Sequence, residues 1–448
     1  MRDSAGVDAT QPSATTGCST SGPKRIALHW VSPASVVSVL AEGHTFGRDP
    51  SCDSVLAGTE VSRAHARIRM TGPLPVLCDL GSRNGVYVAG KRVTERTLGP
   101  GDVVRVGEWV GIAVEVEAAT APEVDVLREI VPGWYGGSQL VAAMEPLRRI
   151  AATDLPVVIQ GETGSGKEGA ASALHLWSGR KGPLVAVDCG ALPEHLAEAL
   201  LFGQRKGAFT GADRSTPGHL RAADGGTIFL DEILNLAPPL QAKLLRAIES
   251  RSVVPVGDTQ PVALDVRFVC AAQEALADAV SSGRFRADLM ARLEGFTLQL
   301  PALRTRREDV VPLFFELLER HGGQRSACEP RFVESLLLYD WPLNVRELLL
   351  LARRLATVHG GEALKRSMLP ERMLSASAPD AAPPPPAAAR KATDDDEDFN
   401  ALVASLREHQ GNLTRAAAAL GFTRARAYRL LEARPEFDLA PLRKDSGA

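Results

Sequence analysis

The sequence predicts a multidomain chain with an all-β sandwich first, an α/β domain in the middle and a small all-α unit at the end. Three observations carry this. Between about residues 25 and 118, short apolar runs are broken by Gly, Pro and Asp turns, the spacing of a sandwich. From about 133 to 372, strand-like runs alternate with helical stretches, the signature of a parallel α/β sheet. Beyond a Pro-, Ala- and acid-rich stretch, residues from about 399 to 432 read as a compact helical unit.

Each region follows from its own residues. The sandwich strands are expected at Ala64–Met70, Val76–Leu80, Val86–Val88 and Val103–Val106. The α/β strands are expected at Leu155–Gln160, Leu184–Val187, Thr227–Leu230 and Val266–Ala271. Residues Ser375 to Asp398 hold four successive prolines from Pro383 to Pro386 and the acidic run Asp394 to Asp398. Proline stiffness and charge repulsion make this an extended linker. The first 24 residues are rich in Ser, Thr, Gly and Ala and read as a disordered tail.

Bulk properties exclude several classes. The net charge of −3 gives no global basic excess, so any nucleic-acid contact needs a local patch. The six cysteines form no Cys-x-x-Cys pair, which argues against a zinc site or a disulfide scaffold and fits a reducing cytoplasm. No apolar run approaches the roughly 20 residues that span a bilayer, so no membrane association is expected.

Chemistry concentrates in the middle. Gly161-Glu162-Thr163-Gly164-Ser165-Gly166-Lys167 follows a strand and precedes a helix. Its glycines let N–H groups converge on phosphate oxygens, and Lys167 can reach the outer phosphates. The strict motif puts Ser or Thr next; Glu168 stands there instead, so a plain Gly-rich turn stays open on these residues alone. Gly225 to Glu232 reads as a buried strand ending in two carboxylates, Asp231 and Glu232. Asp231 suits a Mg²⁺ ion and Glu232 an attacking water. Between these segments, Gly207-Ala208-Phe209-Thr210-Gly211-Ala212 sets one large apolar side chain among small residues; on these residues alone a contact loop and a surface turn with an incidental Phe stand equally open.

Together these segments resemble the AAA+ domain of the enhancer-binding activators of sigma-54 RNA polymerase, over about residues 133–372. The resemblance implies an ATP- and Mg²⁺-dependent ATPase that remodels the polymerase closed complex. It also implies assembly from dimer to hexamer and a loop at Gly207 to Ala212 that touches sigma-54. It makes Arg286 and Arg292 arginine fingers reaching a neighbouring subunit, and Arg346 the lid residue that senses nucleotide. Glu168 is common at its position in this family. Two departures stand out. The family places Asn at the position of Asp188, where it is thought to hold the catalytic glutamate in check. It also tends to show Thr-Asn where this chain has Ala272-Gln273. The expectation is that Asp188 brings a second carboxylate near Glu232, so that one of the two is partly protonated, and that Gln273 reaches the γ-phosphate or the water.

Phe46-Gly-Arg48, Val61-Ser-Arg-Ala-His65, Asp79 to Gly85 and Gly101-Asp102 resemble a forkhead-associated (FHA) domain, over residues 25–118, followed by a linker at 119–132. This implies phosphothreonine recognition by Arg48, Ser62, Arg63, Arg83 and Asn84, of a kinase or another protein, with His65 bracing the loops. Gly411 to Leu431 resembles the Fis-type helix-turn-helix of the same activators, within residues 398–448 after a linker at 373–397. Thr423, Arg424, Arg426 and Arg429 would then contact enhancer DNA. The rival reading is a non-hydrolysing, DNA-bound phosphoprotein adaptor with a degenerate ATPase.

Overall fold

The structure is a computed structural model that describes residues 24–117, 127–208, 213–325, 327–376, 392–409, 416–417 and 419–420. They fall into two compact units, residues 1–378 and 379–448.

The first unit opens with two packed sheets. One has strand order 36–39, 24–32, 109–117, 103–106, 86–88, 91–93; the other has order 54–55, 45–47, 66–71, 74–79, 95–97. Trp30 sits at the centre of their core, edge-on to Phe46 at 5.7 Å and to Trp109 at 6.0 Å. Such T-shaped contacts suit the ring quadrupoles. The strands expected at Val86–Val88 and Val103–Val106 occur at those bounds, and the other two lie within two residues of expectation.

The second part of this unit is a five-stranded parallel sheet, order 184–188, 227–231, 267–272, 157–160, 296–299. All four expected strands are present. The edge strand Phe296–Gln299 was not foreseen; four residues of mixed polarity carry little periodic signal. The stretch read as a linker at 119–132 also differs. Arg128–Val131 pairs with Trp134–Gly136 in a hairpin turned at Gly133. A lid follows, with helices Val310–Arg320, Pro330–Leu338, Asn344–Val358 and Glu371–Ala376.

The sandwich and the lid share a core. Along strands 103–106 and 109–117, alternate side chains point to opposite faces. Val104, Val106, Trp109 and Ala113 fill the sandwich, whereas Val103, Val110 and Ile112 join Phe314, Phe332 and Leu336 of the lid. Arg105 also faces the lid and pairs with Glu334 at 2.9 Å, both side chains being less than a tenth exposed.

The second unit is described in part. Its helix runs Ala392–Glu408, with Leu402, Leu406, Ala416 and Ala417 buried and Ser405 Oγ donating to the Ala416 carbonyl. The acidic run at 394–398, expected in an extended linker, lies in the first turns of this helix. Among the described residues no helix is long and apolar enough to cross a membrane, and Cys52, Cys78, Cys189 and Cys270 are free.

Candidate functional site

Parallel strands end on one edge of the sheet, and the candidate residues collect there. Asp188 lies opposite Asp231 in strand register, and Gln160 lies opposite Ala272. The loop from Gly161 to Gly166 leaves this edge and feeds helix Lys167–Ser178. Gly164 has φ +74°, and a Cβ there would sit 2.2 Å from the Leu343 carbonyl of the lid, so no larger residue fits. Ser165 Oγ is buried with no hydrogen-bond partner among the described residues. An orphaned hydroxyl beside a glycine cradle at a helix N-terminus fits phosphate oxygens.

Lys167 is buried, and its ammonium donates to the carbonyls of Gly161 and Glu162 at 2.9 and 3.2 Å. Burial pulls its pKa below the ordinary lysine value, while the Asp231 and Glu232 carboxylates oppose that pull and Arg346 adds to it. The lysine, both acids and the lid arginine therefore share one electrostatic neighbourhood. Glu168 is exposed on the first turn of that helix. Glu162 is taken by the lid side: Arg304 binds it in bidentate fashion at 2.6 and 2.7 Å, and Asn344 Nδ2 donates at 3.1 Å. These bonds, Arg304 first, hold its carboxyl below the usual range. Asn344 also donates to the Thr163 carbonyl and accepts from the Leu303 N–H, and the Val345 N–H donates to the Gly164 carbonyl. The lid is thus stitched to the phosphate loop.

At the acidic strand end, Glu232 takes φ +50° and ψ +47°, a region that few non-glycine residues occupy. Such strain concentrates at functional positions. Its two carboxylate oxygens accept different amides, Asn235 Nδ2 at 2.8 Å and Gln273 Nε2 at 3.2 Å. The Asp188 carboxylate lies beside the same space but accepts the N–H groups of Gly190 at 2.9 Å and Ala191 at 3.3 Å. Asp231 accepts the Glu232 N–H at 3.0 Å. As a hard oxygen donor at the sheet edge beside Lys167, it fits a Mg²⁺ ion carried in with phosphates. A cavity of about 420 Å³ opens beside the loop, lined by Gly161, Glu162, Gln273 and Arg304 among others.

Arg286 and Arg292 do not join this cluster. Both are exposed on the surface, Arg286 on Asp288 at 2.7 Å and Arg292 on Glu249 at 3.1 Å. Gly207, with φ +82°, and Ala208 start the small-residue loop; Phe209, Thr210, Gly211 and Ala212 lie outside the described residues, as do Thr423, Arg424, Arg426 and Arg429.

At the free end of the sandwich three loops tie together. The Arg48 N–H donates to the Ser62 carbonyl, the Asp49 N–H to the Arg63 carbonyl, and the Arg83 N–H to Ser62 Oγ. Asn84 Nδ2 donates to the Glu60 carbonyl at 2.8 Å. His65 is fully buried; its Nδ1 accepts the Ser62 N–H at 3.0 Å and its Nε2 faces the Gly85 carbonyl at 3.2 Å. This is the bracing role expected of it. Arg48, Arg63 and Arg83 are exposed, and none makes a salt bridge among the described residues.

Sequence reasoning missed Asn235, Arg304, Asn344 and Trp134, whose ring packs on the glycine side of helix Lys167–Ser178. Only Asn235 had an available signal, standing three residues beyond Glu232 in a short polar turn.

Comparison with known proteins agrees with this layout. Family models match for the sigma-54 interaction domain at residues 136–299, the FHA domain at 44–107 and the AAA+ ATPase lid domain at 304–385. The transcriptional regulatory protein ZraR of Klebsiella oxytoca is 41% identical over 298 residues, covering 65% of this chain and 67% of its own length. The response regulator protein PilR of Pseudomonas aeruginosa is 38% identical over 344 residues, covering 74% and 75%. Crystal structures of NtrX from Brucella abortus also match. Its ATP complex has a TM-score of 0.50 at 27% identity over 68% of this chain and 70% of that one.

Proposed function

Because the chain belongs to the family of sigma-54-dependent transcriptional activators and carries an FHA domain, we propose that it hydrolyses ATP to remodel the sigma-54 polymerase closed complex. The observation that carries this reading is the convergence of Lys167, Asp231, Glu232 and the lid turn at Arg346 on one sheet edge. Loop N–H groups and Lys167 hold the phosphates, and Arg346 reports their presence to the lid. Asp231 would hold a Mg²⁺ ion, which when bound would supply positive charge to the phosphate oxygens. Glu232 takes the proton of a water whose oxygen bonds the γ-phosphorus as the bridging oxygen leaves with ADP. Arg286 and Arg292 act on the site of an adjacent copy in an oligomer that grows from dimer to hexamer. Exposed ion pairs are weak, so leaving Asp288 or Glu249 costs little.

The output is the loop from Gly207 to Ala212, with Phe209 against sigma-54. Enhancer DNA is held by Thr423, Arg424, Arg426 and Arg429. The input is a phosphothreonine protein bound at Arg48, Ser62, Arg63, Arg83 and Asn84, and it reaches the ATPase through the sandwich face packed on the lid. Free cysteines suit a cytoplasmic site of action. The rival, a non-hydrolysing adaptor, drew on Asp188 and Gln273. The first is occupied by turn N–H groups and the second by Glu232 itself, so neither argues for a dead site.

The test is ATPase rate and ATP-dependent open-complex formation on a sigma-54 promoter, wild type against Glu232→Gln. We expect the variant to bind ATP and lose hydrolysis by about 10²- to 10⁴-fold, the usual worth of a general base. A wild type no faster than the variant would return the adaptor reading.

A further inference from the structure

We propose that Asn235 is a positioning residue for Glu232, acting with Gln273 as a two-armed amide clamp on its carboxylate. The inference rests on the reading of Glu232 as the general base. The clamp comes from two separate elements. Asn235 ends the 3-10 turn Ile233–Asn235, whose closing bond runs from its own N–H to the Glu232 carbonyl at 2.9 Å. Ile233, fully buried, anchors that turn. Gln273 follows the last residue of strand 267–272, on the edge where the phosphates would lie. One amide donates to each oxygen, so the carboxylate cannot rotate without breaking a bond, while lone pairs remain for a water.

Position 188 cannot serve this purpose in this chain. An Asp side chain has no N–H to offer another carboxylate, and Asp188 is engaged by the N–H groups of Gly190 and Ala191. Yet the three side chains meet at one point. A Cβ on Gly190 would lie 2.9 Å from Asn235 Nδ2, 3.0 Å from Glu232 Oε2 and 3.3 Å from Asp188 Oδ1. In this chain the amides that reach the Glu232 carboxylate come from Asn235 and Gln273, and the Asp188 wall supplies none. Gly190 is the residue that leaves room for all three.

The experiment measures ATPase kcat and KM on the full chain for Asn235→Ala, Asn235→Asp, Asp188→Asn and the double variant Asp188→Asn/Asn235→Asp, with Glu232→Gln as the floor. Affinity for a fluorescent ATP analogue checks that each site is intact. Asn235→Ala is expected to lower kcat on the order of 10-fold, part of the base's contribution, with KM unchanged. Asn235→Asp is expected to fall further, since a second charge faces Glu232. Restoring an amide at 188 in the double variant should recover most of that loss. Should Asn235→Ala fail to fold, Gly190→Ala presses the same contact apart without removing a polar group and should lower kcat likewise. A kcat that is unchanged or raised in Asn235→Ala or Gly190→Ala overturns the clamp, as does a larger loss in Asp188→Asn than in Asn235→Ala. A wild type at the Glu232→Gln floor removes the hydrolysis reading itself and the clamp with it. That result is distinct from an active wild type with an indifferent Asn235.

Discussion

At the loop end of the sandwich, Arg48, Arg63 and Arg83 stand exposed and outside every salt bridge among the described residues, whereas on its sheet face Arg105 is buried against Glu334 of the lid and stacked on Tyr87 at 3.8 Å. The same side chain serves two purposes, and burial separates them. Exposed guanidinium groups with no internal partner can give charge-assisted hydrogen bonds to a dianion from outside. A buried, paired guanidinium fixes where one domain sits on another. The contrast teaches that one sandwich carries both an arginine cluster open to solvent and a face that shares a core with the lid.

The largest expected effect comes from breaking the buried pair. Glu334→Ala leaves the Arg105 charge without its partner, which costs about 3–5 kcal/mol in comparable buried pairs. The denaturation midpoint of the full chain reads this. Glu334 Oε1 is buried with no hydrogen-bond partner among the described residues, so the pair is only half satisfied. An incompletely satisfied buried pair stabilises poorly. Arg105→Leu/Glu334→Leu is therefore expected to be neutral or to gain about 1–4 kcal/mol. If the double variant is as unstable as Glu334→Ala, the pair is a stabiliser rather than a registration device.

Next in size is the other side of the comparison. Arg48→Ala should weaken binding of a phosphothreonine peptide by roughly 10- to 100-fold, the worth of about 1.5–3 kcal/mol for a hydrogen bond to a charged group. The denaturation midpoint should stay put, because the side chain supports nothing internal. Isothermal titration beside a melting curve separates the two. A fall in stability without a fall in affinity would make Arg48 structural and dissolve the contrast.

How far the sequence foretold this arrangement depends on the range of the interactions. The strands and the glycine cradle were legible because periodicity and backbone demands are local. The acids at 231 and 232 were legible because an apolar run ending in two carboxylates is itself a local pattern. The lid stitches were not, since Arg304 and Asn344 reach Glu162 across about 140 and 180 residues of chain; no spacing rule encodes such a pair. The docking face lay between these cases. The run at 109–114 is apolar on both faces, which is how a strand covered on both sides reads, and 103–106 departs from that only at Arg105. The acidic run at 394–398 reads as extended by repulsion, whereas the backbone there is helical.

The smallest expected effect sharpens the loop end by pH. His65 is buried, and burial sets its pKa below the ordinary value of 6.5 despite the Gly85 carbonyl and Asp79. Its Nδ1 accepts the Ser62 N–H, which requires the neutral ring with the proton on Nε2, facing the Gly85 carbonyl. A depressed folded value means that the unfolded chain binds the proton first as pH falls. Stability is therefore complete above 6.5 and declines as pH drops below it toward the folded value. The peptide-free protein is the sample to use, because phosphothreonine itself takes up a proton near pH 6. The melting midpoint between pH 7.5 and 5.5 should decline less steeply in His65→Gln than in wild type. Because Ser62 carries both the histidine bond and the Arg83 N–H, protonation would loosen the loops that present the exposed arginines while leaving Arg105 and the lid untouched. A decline of equal slope in both proteins would place the pH sensitivity elsewhere and leave the loop end braced by something other than this ring.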